Sequence, residues 1–287
     1  MRVFAAILFS IIVIGAFGQL TMQHMQPFFK GAGNVSAWDG TPEGLGGLAL
    51  HYAYTNGVSS PPAVITSWTD LVQGVKLTWN QAANQPICTT TGILFKATTG
   101  AIDALTNSFT TVWTGGKLGG ATGGDGTNIS IVFAIRQINN AFGSSIMPLW
   151  GVYNATTTRF ANVSAATTLT LTWNGVTDTF TTSLNQIPID IYMTWSNGVF
   201  WAWTNGILAD TARSWNVAGN GWTGTQLGCE PALNPWHGNI AEFLVFTNVA
   251  FVTSSPVSST VVGVSNLHWW MTNYNRLPTN GVNSIFP

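Results

Sequence analysis

The sequence has few charged residues. Asp, Glu, Lys and Arg make up 7% of its 287 residues, whereas ordinary soluble domains have roughly 25%. The lysines and arginines are scattered, which excludes a basic patch that would bind nucleic acid. The formal net charge is −1, so little electrostatic repulsion opposes association between copies. Such a surface suits a protein that packs among neighbours or one that is covered by glycan.

The sequence also lacks catalytic motifs such as Gly-x-Ser-x-Gly and His-Glu-x-x-His. Glycoside hydrolysis needs two carboxylates about 5 to 10 Å apart. Asp190 shares a strand face with Tyr192 but has no second carboxylate there, and Glu242 is alone in its strand. No metal-ligand spacing occurs among the histidines, which are His24, His51, His237 and His268. We therefore expect that the chain is not an enzyme and has no cofactor.

Cysteine is scarce, and the chain has only Cys88 and Cys229, which lie far apart in sequence. In an oxidising compartment we favour one disulfide between them. On the chain-entropy model, closing so long a loop would stabilise the fold by roughly 4 to 5 kcal/mol. In a reducing compartment the same residues would be buried free thiols.

A hydrophobic segment occupies the N-terminus. After Met1 and Arg2, residues 3–17 are apolar except for Ser10, and Ala16-Phe17-Gly18 has the form of a signal cleavage site. Two interpretations remain open, namely a secretory signal that is removed and a retained anchor that contacts the membrane through residues 3–18. We favour the anchor, and under both interpretations we expect the globular part outside the cytosol.

Strand patterns dominate the rest of the chain. The apolar run Ile240–Phe246 is short enough for a central strand that is covered on both faces. Thr168–Trp173 alternates strictly, and Asn174-Gly175 predicts a tight turn into a return strand over 177–182. Further strands are predicted over 129–135, 187–195 and 199–204. Hairpins at this spacing predict an all-β sandwich or barrel.

One helix is predicted near the C-terminus. Its apolar face consists of Val264, Leu267, Met271 and Tyr274, which are spaced by 3, 4 and 3 residues. The predicted organisation is a hydrophobic segment (1–18), a linker or extended arm (19–45), one domain (46–277) and a tail (278–287).

Several blocks of sequence follow one another in a fixed order. They are Leu48–Tyr52, Ser67–Asp70, Asn84–Ile87, Gly92–Phe95, and Gly238–Phe246 with the helix that ends at Trp270–Tyr274. In this order they resemble LamG-type domains of the concanavalin A-like lectin/glucanase superfamily. The resemblance implies a two-sheet antiparallel jelly-roll sandwich with a short C-terminal helix. Lys96 departs from the family, which often has an acidic residue at this position.

The chain is rich in tryptophan, and one polar loop suggests a glycan site. Trp215 and Trp222 lie with Asn220 in the glycine-rich stretch 214–224. Exposed indole rings beside amide side chains can stack on a sugar and bind its hydroxyls. Alternatively, these rings cover the edge of the sandwich or a neighbouring subunit. Lectins of this superfamily often use calcium, and Asp125 is the loop acid that would suit such an ion.

Glycosylation sequons begin at Asn34, Asn128, Asn154 and Asn162. They are candidate acceptors if the domain enters a eukaryotic secretory pathway, and Asn128 is the least suitable because it opens a predicted buried strand.

Two functions follow. The first is a non-catalytic structural protein, an anchored or exported jelly-roll that packs against neighbouring subunits in a surface assembly, such as a viral minor capsid or a cell-surface layer. The alternative is a lectin-like module that recognises a surface glycan.

Overall fold

The computed structural model describes most of the predicted domain. The described residues are 38–56, 63–79, 85–95, 105–107, 128–137, 146–153, 158–163, 168–173, 176–181, 188–196, 199–214, 224–228, 236, 238–247, 251 and 262–274. The chain divides into two compact units, Met1–Gly40 and Thr41–Pro287. The second unit contains all the described strands and helices.

The predicted hydrophobic segment 1–18 and the tail 278–287 lie outside the described residues. In the part of the chain that is described, no helix is both long and apolar enough to cross a membrane.

The elements follow one another in an order dominated by strands. A 3-10 helix (Pro42–Leu45) comes first and a single α-helix, α1 (Val262–Asn273), comes last. The strands between them are β1 (Leu48–Ala53), β2 (Ala63–Val64), β3 (Ser67–Thr69), β4 (Lys76–Trp79), β5 (Ile87–Thr89), β6 (Gly92–Phe95), β7 (Leu105–Asn107), β8 (Asn128–Gln137), β9 (Ile146–Tyr153), β10 (Thr158–Val163), β11 (Thr168–Trp173), β12 (Val176–Thr181), β13 (Pro188–Ser196), β14 (Val199–Thr204), β15 (Ile207–Ser214), β16 (Gly224–Leu227) and β17 (Gly238–Thr247).

The strands form two antiparallel sheets. The first has the order β15-β14-β13-β8-β17-β6-β5-β2, with β1 also paired to β17. The second has the order β12-β11-β10-β9-β16-β7-β4-β3. The prediction of an all-β, two-sheet antiparallel fold with a short C-terminal helix is confirmed.

Strand β17 lies at the centre of the first sheet. It pairs with β8 along one edge and with β6 and then β1 along the other. All its residues are buried, as expected for a nearly continuous apolar run that is covered on both faces. On one face, the ring of Phe243 stacks on Phe133 at 4.8 Å and on Tyr52 at 5.7 Å.

Trp68 joins the two sheets. Its indole makes an edge contact with Tyr52 of β1, with ring centroids 5.6 Å apart. Its Nε1 donates a hydrogen bond of 3.0 Å to the carbonyl of Ala53. Because β3 belongs to the second sheet and β1 to the first, this buried ring places the core between the sheets.

Helix α1 buries most of the face that the sequence predicts. Val264, Leu267 and Met271 are fully buried, but Tyr274 is 53% exposed, so its assignment to the buried face is wrong. The helix ends at Asn273, and Tyr274 therefore lies beyond its last turn. Trp270 is buried instead, since it lies three residues after Leu267 and shares its face.

Cys88 is a buried free thiol. Its Sγ lies 3.8 Å from the carbonyl of Tyr54, and burial raises the pKa of the thiol to about 11. The structure therefore does not support the predicted disulfide to Cys229, and Cys229 itself lies outside the described residues.

Candidate functional site

Two buried carboxylates face the same side of the first sheet. Ala134 of β8 pairs with Glu242 of β17 on one side and with Asp190 of β13 on the other. Residues in register share a face, and two strand spacings place the Cα atoms of Glu242 and Asp190 about 10 Å apart. The expectation that each carboxylate stands without a second is therefore wrong.

The first carboxylate is paired with a histidine. Nε2 of His51 lies 2.9 Å from Oε2 of Glu242, and Nδ1 lies 3.3 Å from Oε1 of Glu43 in the 3-10 helix. An imidazole that donates from both nitrogens is the protonated form. Burial lowers the pKa of His51, but the hydrogen bonds to Glu242 and Glu43 outweigh burial and raise the pKa to about 9. The hydrogen bond from His51 in turn lowers the pKa of Glu43 to about 2.

The backbone of His51 is held by the Trp-x-Asp turn. Its N–H donates to the carboxylate of Asp70, and its carbonyl accepts a hydrogen bond of 2.8 Å from the N–H of Leu71. The Asp70 carboxylate also accepts a hydrogen bond from the N–H of Gln73. This turn therefore fixes β1, and with it His51, against the β3–β4 hairpin.

The second carboxylate is paired with a histidine of α1. Nδ1 of His268 lies 2.6 Å from Oδ2 of Asp190, and the hydroxyl of Tyr192 donates to the same oxygen at 2.7 Å. The hydrogen bond to Asp190 raises the pKa of His268, and partial burial opposes the shift. Burial raises the pKa of the Tyr192 hydroxyl well above its usual range, so this group remains a proton donor.

The neighbourhood of Asp190 contains buried polar atoms that have no hydrogen-bond partner. Among the described side chains these atoms include Oδ1 of Asp190 and Nε1 of Trp203. Trp203 pairs with Tyr192 across β13 and β14, so its ring lies on the same face as Asp190. The carboxylate oxygen of Asp190 can accept hydrogen bonds, and the indole N–H of Trp203 can donate one.

Together these contacts attach α1 to the sheet. His268 bonds to β13, and the ring of Trp270 makes an edge contact with His51 of β1 at 5.9 Å. Glu242 and Asp190 are fully buried, so their charges are balanced by the two histidines.

Within the described ranges, no group of three or more His, Cys, Asp or Glu side chains could hold a metal ion.

The outer surface of α1 carries a pair of aromatic rings. Trp269 is 45% exposed and Tyr274 is 53% exposed. Their ring centroids lie 6.1 Å apart, and their planes meet at 77°. We call this pair the aromatic corner. Thr272 and Asn273, which lie between the two residues, are also exposed.

Most residues of the predicted sites cannot be compared with the structure. Those outside the described residues are Trp215, Asn220, Trp222, Cys229, Asp125, His24, His237, Asn34 and Asn154. Asn128 begins β8 and Asn162 lies in β10, but the structure does not describe their side chains. The predicted glycan loop and glycosylation sites therefore stay predictions.

Comparisons with known proteins show a related fold. No protein-family model and no curated protein sequence matches the chain. A solved structure of Trypanosoma rangeli sialidase in complex with sialic acid matches with a TM-score of 0.56 and 8% identity, covering 80% of this chain and 34% of that one. The binding domain of botulinum neurotoxin serotype G matches with a TM-score of 0.54 and 14% identity, covering 79% of this chain and 52% of that one.

The chain thus spans about a third of the sialidase and about half of the neurotoxin domain. The prediction that the chain is not an enzyme is contradicted by this comparison, because proteins of similar fold include sialidases. It was also based on the premise that no second carboxylate is present, which the alignment of Glu242 with Asp190 corrects. At 8% identity the likeness concerns the fold alone and transfers no activity to this chain.

Proposed function

We propose that the chain is a carbohydrate-recognition module that presents a concanavalin A-like jelly-roll outside the cytosol. The observation that carries this proposal is the aromatic corner of Trp269 and Tyr274, since large aromatic rings half exposed to solvent on α1 are suited to stack on a sugar. A protein of similar fold, a sialidase, was solved in complex with sialic acid, which makes carbohydrate the first ligand class to test.

The jelly-roll assignment has its own support. The turn at Asp70, strand β17 and the closing helix α1 follow one another in the order that the LamG-type resemblance implies. The Trp68 indole joins the two sheets, and the Asp70 carboxylate supports β1. A Trp-x-Asp turn that supports the fold in this way favours the jelly-roll assignment more specifically than the presence of two sheets alone.

The location proposed for the module is based on its N-terminus. Residues 1–18 would export the chain or anchor it in a membrane. In a eukaryotic host, Asn34, Asn154 and Asn162 would be glycan acceptors. The sparse charge of the chain suits a surface that meets sugars or neighbouring molecules rather than nucleic acid.

A second candidate is a component of a surface assembly such as a minor capsid or a cell-surface layer. It is favoured by exposed aliphatic side chains outside α1, which among the described residues are Val64, Leu71, Val72 and Ile207. Together with a net charge of −1, these would let copies pack against one another with little repulsion. In this case the aromatic corner would contact a neighbouring subunit.

A glycan array probed with the full chain tests the first proposal, and sedimentation of the same preparation tests the second. The carbohydrate proposal predicts binding to a subset of glycans that free sugar competes away. The assembly proposal predicts association that grows with protein concentration and is insensitive to free sugar. If the chain binds no glycan, the carbohydrate proposal is wrong.

A further inference from the structure

We infer that the aromatic corner is itself a sugar-binding site and that it takes an uncharged pyranose ring. This inference rests on the proposed carbohydrate recognition, and it names a site different from the loop with Trp215 and Trp222 that the sequence suggested. Four features carry it: the angle between the rings, the fixed backbone beneath them, the charge of the segment and the attachment of α1.

The two rings meet at nearly a right angle. Their planes lie at 77° with centroids 6.1 Å apart. A ligand that stacks on the face of one ring would therefore have the other ring at its side. A pyranose has an apolar face of C–H groups and a rim of hydroxyls. Its face would pack on the Trp269 indole, and its rim would reach the Tyr274 hydroxyl, which both donates and accepts hydrogen bonds.

The backbone of the segment that carries the aromatic corner is held by hydrogen bonds from side chains of the same segment. The carbonyl of Trp269 accepts hydrogen bonds from Nδ2 of Asn273 at 2.8 Å and from Oγ1 of Thr272 at 3.0 Å. The N–H of Tyr274 donates to the carbonyl of Trp270 at 3.0 Å. A surface that is ordered before the ligand arrives loses less conformational entropy on binding. The Thr272 hydroxyl and the Asn273 amide also carry acceptor oxygens that suit sugar hydroxyls.

The charge of the segment favours a neutral sugar. The described segment from Val262 to Tyr274 contains no Asp, Glu, Lys or Arg, and the next charged residue in the sequence, Arg276, lies outside the described residues. The only titratable cation of the segment is His268, and the ring of His268 is engaged by the carboxylate of Asp190 at 2.6 Å. An acidic sugar gains most from a charge-assisted hydrogen bond to a cationic side chain, and α1 supplies none for that purpose.

The opposite side of α1 is attached firmly to the sheet. Val264, Leu267 and Met271 are fully buried, and His268 reaches a fully buried carboxylate. The residue next to His268 is Trp269, so the hydrogen bond to Asp190 fixes the turn from which the corner projects. Binding groups held by packed secondary structure keep their geometry better than groups on loops.

The test compares variants of the full chain on an array that contains neutral hexose and N-acetylhexosamine oligosaccharides beside sialylated ones. Trp269→Ala and Tyr274→Ala remove the corner, and Trp269→Phe keeps an aromatic face. Ile207→Ala is the matched control, because it removes another exposed apolar side chain. Trp215→Ala with Trp222→Ala tests the alternative loop, and thermal unfolding of each variant checks that it folds.

We expect wild type and Ile207→Ala to bind neutral glycans equally. Trp269→Ala should weaken binding by about tenfold or more, as the loss of one stacked ring implies, while Trp269→Phe retains part of the affinity. If the two corner variants bind as wild type and the loop variant does not, the corner is not the site, although carbohydrate recognition stands. Preferential binding of sialylated glycans would overturn the neutral-sugar assignment. A wild-type chain that binds no glycan would overturn the proposed function as well.

Discussion

His268 and Asp190 form a hydrogen-bonded pair across the interface between α1 and β13. Nδ1 of His268 lies 2.6 Å from Oδ2 of Asp190, and the carboxylate is fully buried whereas the histidine side chain is 33% exposed. A buried carboxylate that loses its partner becomes strongly destabilising. The attachment of the closing helix therefore depends in part on the hydrogen bond between His268 and Asp190.

Replacing His268 by Ala should destabilise the fold by about 1 to 3 kcal/mol, less than the 3–5 kcal/mol of a fully buried pair because His268 is partly exposed to solvent. The loss should appear as a lower urea midpoint with an unchanged m-value. His268→Gln is the matched control, since its amide can still donate to Asp190, and it should lose less. Equal losses in the two variants would argue that packing rather than the hydrogen bond attaches α1.

The stability of the domain should fall as the solution becomes alkaline. The folded-state pKa of His51 is raised from 6.5 to about 9, so its contribution is fully present below pH 6.5 and is lost as the pH rises through about 9. His268, whose pKa is also raised, acts in the same direction. Urea unfolding between pH 6 and 10 measures this slope. Glu242→Gln should flatten it, and an equally steep slope in that variant would contradict the assignment.

Glu43 should titrate at unusually low pH. Its pKa is lowered from 4.5 to about 2 by the hydrogen bond from His51, so its small contribution to stability is present above pH 4.5 and is lost as the pH falls through about 2. NMR titration of the carboxyl carbon measures the pKa directly. Replacement of His51 by Gln should return the pKa of Glu43 toward 4.5, and an unchanged value would mean that another group causes the shift.

Gly263→Ala should destabilise the start of α1. A Cβ at this position would lie 2.5 Å from the ring of Phe251, which makes an edge contact with Phe246 of β17 at 5.4 Å. Overpacking of this kind costs about 1 to 3 kcal/mol. The double variant with Phe251→Leu should lose less than the sum of the single variants, because the smaller side chain relieves the overlap. Strict additivity in urea unfolding would show that the ring is not the obstacle.

Cys88 should be unreactive in the folded protein and reactive after unfolding. The thiol is fully buried and its pKa is raised to about 11, so little thiolate is available to a maleimide reagent. Peptide mass spectrometry of unreduced protein, labelled before and after addition of denaturant, measures the difference. Labelling of Cys88 only after reduction would instead support the disulfide to Cys229.

The sequence predicted individual strands and the helix better than it predicted which strands lie side by side in a sheet. Strand β17 and helix α1 have strong local patterns, and both lie where those patterns indicate. The alignment of Glu242 with Asp190 was missed because β17, β8 and β13 are adjacent in the sheet but far apart in the chain. Periodicity indicates which face a residue occupies, not which strand lies beside it.

A usable signal for the buried pairs was nevertheless present. Glu242 interrupts an apolar run, and Asp190 lies between Ile189 and Ile191 in the strand predicted over 187–195. Fully buried carboxylates are rare unless they are paired, and His51 and His268 were available as partners. The spacing of apolar residues placed Tyr274 on the buried face of the helix. That prediction is wrong because the helix ends one residue earlier, at Asn273.

The most direct test of carbohydrate recognition by α1 is a crystal structure of the full chain with the neutral oligosaccharide that binds most tightly on the array. Our account predicts a pyranose ring stacked on the Trp269 indole, with a hydroxyl hydrogen-bonded to Tyr274. A sugar bound elsewhere on the domain, with the aromatic corner empty or covered by a second copy of the chain, would contradict it.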